Sequence, residues 1–265
     1  MPVRDWDAYI KNLLLEGRWL PVTRSVAFFQ ADPQTCVDVM LEHTQHNAVK
    51  RFGSPRKVKP VEGAELTDLL AHLLPLQAEE HRKLFLPTAN PEWTAMFTNA
   101  HLGTDLGAHV AMGWWGVRAL MVTDSPNNYD RRTRQGFSGN REFSLVEKCD
   151  PWTPRARERD HIAHVVGVKV LEGGWAEDPP FSGADGVQRE GVEFPVGEVW
   201  DETARSKQDR FTHEHLALAC ERMGLRPFDA DFYAPDGWGL MIERTDADVD
   251  RERSWTLAQA RHEEP

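Results

Sequence analysis

VTRSVAFFQADPQTCVDVMLEHTQHNAVK, residues 22–50, is the stretch on which the fold reading rests. Val22 to Gln30 is dense in β-branched and aromatic residues, which suit a pleated, half-buried strand. Asp32 and Pro33 then change the pattern. An aspartate side chain satisfies free N–H groups at a helix start, and proline fits the first helical position, where it has no hydrogen bond to lose. Cys36, Val37, Met40 and Leu41 follow at helical spacing, so a helix runs to about Lys50 with these residues inward.

Upstream, Trp6, Tyr9, Ile10, Leu13 and Leu14 recur with the same period, and a short amphipathic helix is expected over 5–16, stopped by Gly17. Downstream, the basic run from Lys50 to Lys59 reads as a loop. Leu66, Leu69, Leu70, Leu73 and Leu74 form the stripe of a helix over about 64–84, interrupted at Pro75. Strands are expected at 93–98 and 117–123, around a helix over 104–115. Residues 125–140 read as a long polar loop. Such loops tend to be functional or mobile.

Beyond residue 140 the pattern turns to strands: 142–148, 161–171 and 192–200. Thr212 caps a helix to Met223, with Leu216, Leu218, Ala219 and Cys220 inside and Gly224 beyond its end. Pro235, Asp236 and Gly237 have strong turn chemistry, and a hairpin of 231–233 with 239–243 is expected around them. The class is therefore α+β, a mixed β-sheet with helices packed on one or two faces and a strand-rich second half. Residues 1–244 form one domain and 245–265 a charged tail on its surface.

Composition narrows the function. The chain has 265 residues, 40% of them hydrophobic, enough for a sizeable core. It lacks an apolar run of membrane-spanning length and a secretory leader pattern. Cys36, Cys149 and Cys220 are widely spaced and odd in number, which disfavours a disulfide framework or a structural zinc site. A cytoplasmic, soluble protein fits these features. Acidity is segregated: residues 171–265 hold 22 acidic and 10 basic residues, a balance of −12, whereas 1–170 are nearly neutral. A surface of that sign favours a basic protein partner and repels nucleic acid. No Walker loop, dinucleotide fingerprint, nucleophile elbow or metal-ligating spacing occurs, so no cofactor and no metal are expected.

Two clusters could carry chemistry. HLGTDLGAH, residues 101–109, joins an expected strand to an expected helix. Asp105 and His109 share a helical face, with His101 just outside the helix start. A carboxylate beside a histidine fixes its tautomer and raises its basicity, as a general base requires. The competing reading makes Thr104 or Asp105 an ordinary cap paired with His109. The second cluster is Arg131, Arg132 and Arg134 in the long polar loop, a candidate anion- or partner-binding set. With Lys50, Arg51, Arg56, Lys57, Lys59, Arg155, Arg157 and Arg159 it would make a phosphate-binding face if the fold gathered them. His43 and His46 share a helical face but lack a third ligand.

Two functions follow as expectations. The first is a binding protein, immunity- or antitoxin-like, that engages a macromolecule through the acidic C-terminal region. The second is a hydrolase-like enzyme with its site at His101, Asp105 and His109. Binding to DNA or RNA is expected to be weak at physiological salt, and a filter-binding assay checks this.

Overall fold

The computed structural model describes residues 6–52, 56–103, 116–127, 132, 137–147, 163–171, 174–182, 194–244, 253–261 and 263; for 6–8, 43–52, 163, 170–171 and 174–182 it describes the backbone. The strands are β1 (Ser25–Phe29), β2 (Arg56–Glu62), β3 (Leu76–Gln77), β4 (Arg82–Pro87), β5 (Thr94–Thr98), β6 (Ala119–Ser125), β7 (Asn140–Val146), β8 (Ala163–Leu171), β9 (Gly174–Ser182), β10 (Trp238–Arg244) and β11 (Ser254–Trp255). The helices are α1 (Trp6–Lys11), α2 (Pro33–Phe52), α3 (Leu66–Ala71), α4 (Lys207–Arg210), α5 (His213–Arg222) and α6 (Leu257–Ala260).

Nine strands form one sheet in the order β2-β10-β4-β5-β1-β6-β7-β8-β9, and β3 pairs with β11 in a small second sheet. Among the described residues every pairing between these strands is antiparallel. The class is α+β, as the sequence implies. Alternation along the central strands sends neighbours into two separate cores. Phe28, Leu84, Leu86, Phe97, Leu120 and Phe143 pack on one side with Leu66, Leu69 and Leu70 of α3 and Leu216, Ala219 and Cys220 of α5. Phe29, Phe85, Met96, Met121 and Ile242 pack on the other, under Cys36, Val37 and Met40 of α2. Burial pushes the Cys36 thiol up to about 12 and the Cys220 thiol higher still, so both are held as inert thiols.

Asp32 caps α2 as expected: its two carboxylate oxygens accept from the Thr35 N–H at 3.0 Å and the Thr35 hydroxyl at 2.6 Å. Thr212 likewise accepts from the His215 N–H at the head of α5. Leu218, expected inside that helix, is 38% exposed.

Other stretches differ from expectation. Residues 82–84, expected as the end of a helix, instead open β4, an interior strand of the sheet. Apolar on both faces, Leu84, Phe85 and Leu86 give a continuous run that periodicity cannot assign. Residues 56–62 form an edge strand rather than a loop; their lysines and Pro60 are the residues that blunt an unpaired sheet edge. Residues 194–200 are a turn, with Gly197 in the left-handed region, and not a strand. The turn at Pro235–Gly237 forms, but β10 pairs with β2 and β4 instead of with 231–233. Of the last segment, residues 253–261 and 263 are described, and it is docked there: β11 holds to β3, and Trp255 and Leu257 pack against the core.

One polar junction pins helices to the sheet. Asp124 and Arg141 are cross-strand partners in β6 and β7. The Asp124 side chain is 1% exposed, and Tyr9 of α1, Arg141 and His213 of α5 all donate to it.

On the same side of β10, Glu243 accepts from Lys59 Nζ and Arg82 Nε, both at 2.8 Å. Burial alone would raise this carboxyl, but the two cations outweigh burial and hold it below the usual carboxylate range. A depressed folded value contributes stability at neutral pH that is lost as pH falls through that value. Glu243→Gln is expected to cost about 1–2 kcal/mol near neutrality. The gap to the wild type closes on acidification below the ordinary carboxylate range, as urea denaturation at a series of pH values checks.

Candidate functional site

The turn that leads into β10 builds a groove. Ala234 and Gly237 both have positive φ, and the Gly237 N–H donates to Ala234 O at 2.8 Å, which closes a four-residue turn. The Gly63 N–H donates to Gly237 O at 3.0 Å, so the end of β2 and the turn lie back to back. Glycine is required at 237 twice over: its φ is +69°, and a Cβ there would lie 2.8 Å from Gly63 O. This close approach brings Glu62, Ala64, Asp236 and Trp238 around an open cavity of about 760 Å³.

Glu62 and Trp238 are direct cross-strand partners, so their side chains leave the same face of the sheet. Trp238 is 36% exposed, and Val58 on the same face of β2 is 39% exposed. An exposed indole beside exposed carboxylates is suited to a cation, because the face of the ring carries partial negative charge. Glu62 and Asp236 make no side-chain hydrogen bond or ion pair among the described residues. Glu65 and Asp68 next to them are engaged instead in the capping box of α3. The groove is therefore acidic, aromatic and open, a shape for contact with a surface or a side chain.

The expected histidine–carboxylate cluster is placed only in part. His101 is described, but Asp105 and His109 lie outside the described residues. The His101 ring stacks on Trp255 at 4.3 Å and 11°, and its Nδ1 lies 3.2 Å from Gln77 O. That carbonyl can only accept, so Nδ1 carries the proton. Here His101 helps to dock β11. Of the arginine set, Arg132 is exposed, and Arg131 and Arg134 lie outside the described residues, as do Arg155, Arg157 and Arg159. The basic run at β2 is split by the pleat: Lys59 faces Glu243, whereas Arg56 stands opposite Arg244 on the other face. Among the described residues no group of three histidine, cysteine or acidic side chains is placed to hold a metal ion, and no helix is long and apolar enough to cross a membrane.

Sequence reading passed over the groove because its walls come from distant parts of the chain. The turn chemistry at 235–237 was the one local sign. No protein-family model matches this chain, and no curated protein or solved structure matches it.

Gly237→Ala is expected to destabilise the protein by about 1–3 kcal/mol through strained φ and contact with Gly63. Urea denaturation measures the loss, and the indole N–H signal of Trp238 reports the altered groove.

Proposed function

We propose that this is a binding protein that engages a basic protein partner, with the groove at Trp238 as a contact point. The observation that carries the reading is the pairing of an exposed indole with two exposed carboxylates, Glu62 and Asp236, that make no ion pair among the described residues. A lysine or arginine side chain laid on the ring would gain the ring quadrupole and both charges. The segregation of acidity into residues 171–265 supports the same class of partner, because charge of one sign steers an oppositely charged surface into contact. Masking a cationic protein in this way is an immunity- or antitoxin-like role.

The enzyme reading at His101, Asp105 and His109 draws less support, since His101 is spent on Trp255 and Gln77. The test is titration with an oligolysine peptide, followed by the indole signal of Trp238. The expected result is a saturable shift that weakens as salt is added. Trp238→Ala should reduce affinity about 3- to 10-fold, in line with a cation–π contact of roughly 0.5–1 kcal/mol or slightly more. An unmoved Trp238 signal alongside shifts elsewhere would place the partner surface away from the groove.

A further inference from the structure

The junction at Asp124 leaves one nitrogen unused, and its geometry is that of a proton-transfer site. Tyr9 and Arg141 donate to Asp124 Oδ1, the latter through Nε at 3.2 Å. His213 Nδ1 lies 2.7 Å from Oδ2. The carboxylate accepts from all three, so Nδ1 of His213 donates, and in the neutral ring Nε2 is the atom with the free lone pair. Among the described residues Nε2 has no hydrogen-bond partner, and the His213 side chain is 15% exposed. Phe228 lies against the ring, with centroids 4.3 Å apart. The imidazole is thus oriented by a buried carboxylate and backed by an apolar wall.

The other members of the junction are locked in their donor roles. Burial, and next the Asp124 charge, raise Tyr9 far above its ordinary value, so it remains protonated. Arg141 is raised as well: burial opposes its charge, but Asp124 and Tyr9 outweigh burial. Its Nη1 also donates to Phe211 O at 2.8 Å, which fixes the guanidinium beside the head of α5. His213 is the first residue of α5, next to the Thr212 cap. Glu214, next in the helix, is held below the usual range mainly by hydrogen bonds from its own N–H and from Thr212. The groups around the ring are therefore Tyr9, Asp124, Arg141 and Glu214, and His213 is the member left to exchange a proton.

We propose that His213 is a general base for hydrolysis of carboxylic esters, with Asp124 as its positioning residue. In the reaction a water molecule gives a proton to Nε2 as its oxygen forms a bond to the carbonyl carbon. The tetrahedral adduct then expels the alcohol oxygen, the ester C–O bond breaks, and the proton on Nε2 passes to the leaving oxygen. The net result is ester plus water to acid plus alcohol, with the imidazole returned neutral. This activity is independent of the groove at Trp238.

The test uses the full chain and p-nitrophenyl acetate, with free imidazole at matched concentration as reference. The wild type should exceed the reference by about 100-fold or more, with a rate that rises through a single histidine ionisation. His213→Gln should fall to the reference rate while retaining the wild-type circular dichroism spectrum, and Asp124→Asn should lower the rate and displace the pH profile. Should the variants not fold, diethyl pyrocarbonate on the wild type decides: loss of hydrolysis in step with acylation of His213 supports the proposal. A wild-type rate no higher than imidazole, a His213→Gln variant as fast as the wild type, or acylation of His213 without loss of rate would each overturn it.

Discussion

A carboxylate taken out of water is costly unless donors replace the lost solvent, and Asp124 has three of them. They come from α1, β7 and α5, with Tyr9 and His213 lying 115 and 89 positions from Asp124 along the chain. Each donor is justified by the same buried charge. Withdrawing any one leaves the others holding an under-solvated anion, so the N-terminal helix, the middle of the sheet and α5 are mutually dependent. The junction lies where β6 changes character, from the apolar Ala119–Val122 to Thr123, Asp124 and Ser125. The opposing strand changes in register, with Asn140, Arg141 and Glu142 facing those three residues.

The sheet can carry polar groups at that point because its central strands are apolar on both faces nearby. Phe28 and Phe29, and Leu84 and Phe85, divide between two cores, and the outer strand β2 meets solvent with Lys57, Lys59 and Pro60. Charge and proline at that rim discourage further strands from adding there.

Much of this was legible in residue order where the signal is local. Residues 22–50 declare a strand, a cap and a helix, and the cap at Thr212 and the turn at Pro235–Gly237 are equally plain. What failed was partner choice. The turn at 235–237 invites a hairpin, yet β10 lies between β2 and β4, because burying Met241 and Ile242 in separate cores outweighs the nearest local pairing. β2 looked like a loop because edge strands are built from residues that avoid burial. The groove and the Asp124 junction were invisible for a related reason. Glu62 meets Trp238, and Asp124 meets His213, only after the strands are in register. Asp124 falls between an expected strand and an expected loop, and nothing in its local sequence or that of His213 marks the junction.

The strand order also has a consequence for biosynthesis. β2 and β4 leave the ribosome well before β10, which must lie between them. Until β10 is made, one rim of β4 therefore has no neighbour and β2 has no sheet to join. A ribosome stalled before residue 238 would release a product with an open seam beside Leu84, Phe85 and Leu86, the kind of exposed strand that seeds aggregation.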